Sequence, residues 1–333
     1  HFSAIWITAA NSWMQTPDGY ELQLVPEPVR AVMTDFWATV FTPSFVTRLL
    51  LVFFASWTAG AALMASVGAW YILRKPQFAD LGKACLAISL PAFIIFSVAN
   101  GFIFGPESAR SVAENQPTKL AAMEGIYQTE ENAPAYLFGW VDEGSGETIG
   151  LAVPGLLTFL SGQDVVTGIN DFEVPPTVVN LTFQAYHLMV GLGMAIIPFA
   201  LLAAGLWFWK RKLLDQRWAL WIVVSSVFVA LFVITMGWWV AELGRQPWIV
   251  YELMLTADAT SPVVEAWEIV LSLGGFVLIY LLLLALFLYL LNRKIQRGPA
   301  SLEEVESTPV DSLPDSLRGI FAARGAGEER MTR

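Results

Sequence analysis

The chain has 333 residues, 56% of them hydrophobic and 14% charged, with 14 Trp and a mean hydropathy of +0.56. Soluble globular proteins carry about 25% charged residues, so the composition excludes an ordinary soluble domain and indicates an integral membrane protein. A net charge of −10 argues against nucleic acid as a partner. The single cysteine, Cys85, lies in an apolar run and excludes a disulfide framework or thiolate metal site, and the only histidines are His1 and His187.

His1-Phe2-Ser3-Ala4-Ile5-Trp6-Ile7 has no initiator Met and no basic leading region, so it is not a signal peptide. The stub His1–Trp13 reads as the outer half of a membrane helix cut in its middle. The sequence is therefore expected to be the C-terminal portion of a longer protein, or one piece of a split one. A polar segment with Pro17, Gly19, Pro26 and Pro28 follows. Apolar runs then predict a second helix over Phe45–Leu73 and a third over Ala84–Phe104. The region Gly105–Pro176 is hydrophilic. A fourth helix is expected over Val178–Trp209, a fifth over Ala219–Val240 closing at Glu242, and a sixth over Val264–Leu291.

Basic residues follow the second helix (Arg74, Lys75), the fourth (Lys210, Arg211, Lys212, Arg217) and the sixth (Arg293, Lys294). The positive-inside rule makes those ends cytoplasmic. Gly105–Pro176, with eleven acidic residues against Arg110 and Lys119, then lies on the outer side. The expected fold is all-α and membrane-integral, with about six crossings, the first partial, and a long outer loop between the third and fourth. Residues 1–297 form the membrane domain, with 105–176 as its outer region. Residues 298–333, rich in Pro, Ser and Glu, are expected to be a flexible cytoplasmic tail.

Three stretches carry chemistry. Trp238-Trp239-Val240-Ala241-Glu242-Leu243-Gly244-Arg245-Gln246-Pro247-Trp248 sets a carboxylate, a guanidinium and three tryptophans at the membrane edge. Ionisable groups there are costly, which favours a site with a partner for Glu242. Spacing alone supports equally well a simple pair between Glu242 and Arg245, three apart on one helical face. In Gln116-Pro117-Thr118-Lys119-Leu120-Ala121-Ala122-Met123-Glu124-Gly125, Pro117 suits the start of a short helix with Lys119 and Glu124 roughly on one side. A carboxylate and an ammonium near a membrane-edge pocket suit binding and deprotonation of a quinol hydroxyl. The competing reading is a solvated surface pair of little consequence. Thr182-Phe183-Gln184-Ala185-Tyr186-His187-Leu188-Met189-Val190-Gly191 holds an imidazole and a thioether, both haem-ligand types. Two apart on a helix, they point about 200° apart and cannot share one iron. A methionine on an apolar helix is more often packing than ligand.

Gly237-Trp238-x-x-x-Glu242-x-Gly244-Arg245-Gln246-Pro247-Trp248 resembles the signature of subunit I of the cytochrome bd oxygen reductases. Lys119, Leu120-Ala121-Ala122 and Glu124 resemble that family's quinol loop. Asn11-Ser12-Trp13-Met14-Gln15-x-Pro17 also matches and is read as structural. The resemblance covers residues 1 to about 297 in patches. It implies quinol oxidation on the outer side of a prokaryotic plasma membrane, electron transfer through low-spin and high-spin b haems, and oxygen reduction to water at a third haem, d or b.

By that resemblance Lys119 and Glu124 contact quinol, Met189 ligates the low-spin b haem, and Glu242 ligates the high-spin b haem. Trp238 packs between haems, and Arg245 pairs with a propionate, since guanidinium suits carboxylate. His187 stands where better-known members carry an arginine near the propionates; it either keeps a polar contact or ligates iron itself. Thr42-Pro43-Ser44-Phe45-Val46-Thr47-Arg48-Leu49-Leu50-Leu51 aligns without gaps, yet the family's other low-spin ligand, a histidine, falls at Leu51. The family's N-terminal helices, with the high-spin histidine and acidic proton-path residues, are expected as a partner in the same or a separate chain. A second oxidase subunit and membrane lipid are the other partners implied. The alternative is a non-catalytic paralogous structural subunit with reduced haem content. A transporter with an outer lid loop would require the motif matches to be accidents.

Overall fold

Among the described residues, five stretches are long and apolar enough to cross a bilayer: Phe36–Arg74, Pro76–Asn115, Val179–Phe208, Arg217–Leu243 and Ala266–Arg297. They belong to a computed structural model that describes residues 1–23, 29–209, 212–261 and 263–299. The helices are α1 (Phe2–Gln15), α2 (Phe36–Val40), α3 (Phe45–Arg74), α4 (Ala79–Ala99), α5 (Gly105–Asn115), α6 (Pro117–Glu124), α7 (Leu156–Ser161), α8 (Val179–Phe208), α9 (Arg217–Leu243) and α10 (Ala266–Arg297). With 14 residues, α1 spans about 21 Å, short of a hydrocarbon core of about 30 Å.

Residues 1–263 form one unit and the chain from Val264 another. In the first, α3 packs on α4 and α9, and α8 packs on α9 and α4. Small residues make the close approaches, as packing between membrane helices favours. A Cβ on Gly68 of α3 would lie 2.8 Å from Cys85 Cβ, and one on Gly82 of α4 would lie 2.6 Å from Gly68 O. Trp207, Leu86, Leu90, Leu213 and Leu220 fill the core at one end of this bundle. The second unit holds α10, begun by a reciprocal capping box of Glu265 and Glu268 and closed by Lys294 and Arg297 in its last turn.

The third predicted helix runs further than expected. It does not stop at Phe104: a π-turn over Asn100–Phe104 carries α4 into α5, which ends at Asn115. Pro106 sits in the first turn of α5, directly after that π-turn.

The fold is all-α in its membrane part, as expected, and the outer side adds short two-stranded pairs to it. Short antiparallel pairs join β1 (Tyr20–Gln23) to β2 (Arg30–Met33), β3 (Glu130–Glu131) to β6 (Val165–Val166), and β7 (Trp248–Val250) to β8 (Met254–Leu255). The longest pair, β4 (Ala135–Asp142) with β5 (Glu147–Val153), is a hairpin laid along α8. Its tie to α6 runs through Gly125, whose φ of +66° ends α6 in the left-handed region that glycine permits. The Gly125 carbonyl accepts from Thr148 Oγ1 at 2.6 Å. The expected tail falls almost wholly on 300–333, outside the described residues.

Candidate functional site

Glu242 lies in the last turn of α9, and both of its oxygens are engaged. Oε2 pairs with Arg245 Nη2 at 2.7 Å, and Oε1 accepts from Asn11 Nδ2 of α1 at 2.8 Å. The Asn11 oxygen accepts in turn from Arg48 Nη2 of α3, whose Nη1 donates to Ser12 Oγ at 3.2 Å. Asn11 thus links two charges that sequence leaves far apart. The pair of Glu242 and Arg245 expected from their spacing is present, but it is unevenly buried: the Arg245 side chain is 3% exposed and that of Glu242 40%. Arg245 Nε and Nη1 are buried without a hydrogen-bond partner among the described residues. Burial lowers the Arg245 pKa, with Glu242 opposing.

Lys119 joins the same cluster from α6. Its Nζ donates to Gln15 Oε1 at 2.9 Å and to Ala241 O at 3.3 Å. Gln15 also accepts from Gln116 Nε2 at 2.9 Å and donates to Ala241 O at 2.9 Å. Gly244 admits this approach, because a Cβ there would stand 3.0 Å from Lys119 Cγ. Three cations, Arg48, Lys119 and Arg245, therefore surround one carboxylate. Burial, then the repulsion of Arg48 and Arg245, pushes the Lys119 pKa well below the usual lysine value, and Glu242 only partly offsets this.

Glu124 faces elsewhere. It takes a hydrogen bond from the buried Tyr186 hydroxyl of α8, and its Oε2 has no partner among the described residues. Burial pushes its pKa from 4.5 up to about 7, against the Tyr186 hydrogen bond. Lys119 and Glu124 were expected on one side of their helix; five positions turn about 140°, and the two side chains bond to different neighbours. Each is only 4% exposed, which removes the reading of a solvated surface pair.

His187 has both ring nitrogens on backbone carbonyls, Nδ1 at 2.8 Å from Phe183 O and Nε2 at 2.7 Å from Tyr136 O. Its ring stacks on Phe183 at 3.9 Å. Both ring nitrogens are thus engaged by backbone carbonyls. The other imidazole, His1, accepts from Trp57 Nε1 at 3.2 Å. Met189 is half-buried and packs with Tyr186 around Met123, Ala185, Met236 and Val240. Its sulfur stands 3.1 Å from where a Cβ on Gly237 would be, so only glycine on α9 leaves it that space. Trp238 is half-buried.

Cytochrome bd terminal oxidase subunit I is the family whose model matches residues 1–299. The chain belongs to that family. It is 31% identical over 336 residues to cytochrome bd ubiquinol oxidase subunit 1 of Bacillus subtilis, covering 94% of this chain and 69% of the relative. Against cytochrome bd-II ubiquinol oxidase subunit 1 of Escherichia coli it is 25% identical over 379 residues, covering 92% and 73%. The bd oxidase structure from Geobacillus thermodenitrificans superposes with a TM-score of 0.79 at 30% identity, covering 89% of this chain and 67% of that one.

A subunit I implies haem, and the residues present fit it. The unpaired, buried Nε and Nη1 of Arg245 suit a propionate carboxylate. The Met189 thioether, close against Gly237, and the half-exposed Glu242 carboxylate offer iron-ligating donor types on adjacent helices. Sequence reasoning missed the roles of Asn11, Gln15 and Arg48. The first two stood in a matching motif that was read as structural, and Arg48 stood in the aligned stretch that ends at Leu51.

Proposed function

We propose that this subunit I oxidises quinol and passes the electrons to oxygen as part of a multi-subunit complex in a prokaryotic plasma membrane. The observation that carries the reading is the cluster of Arg48, Lys119 and Arg245 around Glu242, in which Lys119 and Arg245 are buried. Two buried cations beside a half-exposed carboxylate are a costly arrangement, because an uncompensated buried charge costs several kcal/mol. A bound propionate at Arg245 offsets that cost.

Met189 would hold the low-spin b haem and Glu242 the high-spin b haem, while Trp238 would pack between haems and Arg245 would pair with a propionate. Bound haem supplies the one-electron steps and the oxygen-reducing centre. Asn11 and Arg245 hold the Glu242 carboxylate from both oxygens and fix its direction. Lys119 and Glu124 contact quinol, and Glu124, which titrates at about 7, accepts a proton that quinol releases on oxidation. Both are buried, so quinol reaches them by opening the contacts of α6. The outer region lies on the side opposite the basic helix ends, and the C-terminus is cytoplasmic. A second subunit and the family's N-terminal helices complete the oxidase.

Leu51 favours one other reading, a paralogue with reduced haem content, because a leucine supplies no ligand where the family carries histidine. A reduced-minus-oxidised spectrum with haem extraction, beside oxygen uptake with quinol, separates the two on the purified complex. Low-spin b, high-spin b and a third haem with turnover establish the oxidase; missing low-spin b with no turnover establishes the paralogue. Glu242→Ala is expected to remove the high-spin b signal while the protein still inserts, and an unchanged spectrum would sink the ligand assignment.

A further inference from the structure

The β4–β5 hairpin carries an apolar face that no described residue of the first unit covers. Phe138 pairs across the strands with Leu151 and Trp140 with Ile149. These four side chains are 64%, 51%, 60% and 67% exposed, respectively. The opposite face is buried, with Val141 packed beside Ala121 and Phe183. Exposed apolar patches of this kind mark a binding surface.

The position of the hairpin along α8 identifies what covers it. Val141 N donates to Asn180 Oδ1 at 3.2 Å, Gly139 O accepts from Gln184 Nε2 at 2.8 Å, and Tyr136 O faces His187 Nε2 at 2.7 Å. The strand therefore descends α8 from Asn180 to His187 as it runs backward from Asp142 to Ala135. α8 has 30 residues, about 45 Å, and a hydrocarbon core takes about 20 of them. Counted back from Phe208, next to the basic Lys210-Arg211-Lys212, those ~20 residues end near Met189. The part of α8 that carries the hairpin thus lies in the headgroup layer, and the hairpin base reaches the hydrocarbon edge.

Polarity along the hairpin follows the same gradient. The tip, Asp142-Glu143-Gly144-Ser145-Gly146-Glu147, is charged and points away from the core, whereas the apolar pairs lie below it. At the base, β5 leads into α7, where Phe159 is 80% and Leu160 51% exposed. On α8, Leu181 and Leu188, seven positions apart and so on one side of the helix, are exposed as well. Aromatic side chains are favoured at this depth of a bilayer.

We propose that the β4–β5 hairpin and α7 form an interfacial anchor whose apolar face rests on the phospholipid of the membrane side opposite Lys212. The anchor holds α6 to α8 through the bond of Thr148 to Gly125 and the Val141–Ala121 packing. It rests on the membrane placement of α8 and not on any role in quinol chemistry.

Spin labels test it in the intact oxidase complex, reconstituted in phosphatidylcholine–phosphatidylglycerol vesicles with Cys85→Ala as background. Phe138→Cys, Trp140→Cys and Phe159→Cys are labelled singly, beside Ser145→Cys at the tip, so that failure of one variant to assemble leaves the others. Power saturation is expected to show more collisions with oxygen than with a water-soluble nickel chelate at positions 138, 140 and 159, and the reversed ratio at 145. Nickel access at all four positions would place the face in water and overturn the proposal. Protection from both reagents at 138 and 140 would mean that a protein subunit covers it, and would overturn it equally.

Discussion

Asn11 and Glu242, 231 positions apart in sequence, share a 2.8 Å hydrogen bond, and the same Asn11 side chain turns its oxygen to Arg48. An amide donates to a carboxylate with one end and accepts from a guanidinium with the other. Asn11 is therefore a positioning residue for Glu242, and Arg48 locks which way it points.

Asn11→Leu keeps the approximate volume and removes both bonds. One Glu242 oxygen and one Arg48 nitrogen then lose their partners, at about 1–3 kcal/mol each. The expected outcome is a shifted high-spin b haem spectrum and midpoint potential with the low-spin signal unchanged. Spectra and potential identical to wild type would show that Arg245 alone orients the carboxylate.

Glu124→Gln tests the titration at about 7. The folded carboxyl is raised above its unfolded value of 4.5, so between 4.5 and about 7 the folded state holds the proton that the unfolded state has released. Stability therefore falls as pH rises through that window, by roughly 3 kcal/mol in full. A neutral glutamine escapes this loss: its complex should melt higher than wild type above about pH 7 and no higher below 4.5. Turnover moves oppositely. Wild-type kcat/KM for quinol should rise through about pH 7, and the variant should lose that rise. A variant that keeps the wild-type pH profile would show that Glu124 carries no quinol proton.

Lys119→Ala separates substrate binding from packing. The side chain is buried among Arg48 and Arg245, so its removal relieves repulsion and is expected to leave the melting temperature level or higher. If the amine contacts quinol, KM should rise about tenfold, the equivalent of about 1.4 kcal/mol, with haem spectra unchanged. Lys119→Met, which keeps the apolar stem, should show the same KM rise. Wild-type KM in both variants would assign Lys119 to the structure of α6 alone.

The membrane helices were legible in the sequence because about 20 apolar residues have one physical solution in lipid. The Glu242–Arg245 pair was legible too, since it lies within one turn. Asn11, Gln15 and Arg48 were not, because their bonds join α1, α3, α6 and α9, and no local pattern encodes a contact across so many positions. The direction of Glu124 was misread for a simpler reason: five positions on a helix are not one face. The β4–β5 hairpin was hidden by an outer region judged on its charge. The alternation in Phe138-Gly139-Trp140-Val141 and the Gly144-Ser145-Gly146 turn were present there as a period-two signal.

Leu51→His addresses the departure of this chain from its family. Leu51 sits half-buried in the first two turns of α3, and a leucine there offers iron no lone pair. If Met189 is a low-spin haem ligand whose partner was lost at position 51, the substitution should create or strengthen a six-coordinate b signal in the reduced-minus-oxidised spectrum. The double variant Leu51→His with Met189→Leu should abolish that gain, because the new imidazole would then lack its opposite ligand. A gain that survives Met189→Leu would assign the imidazole to a different haem geometry and remove Met189 from the ligand set. No gain in the single variant would mean that position 51 does not face an iron in this chain.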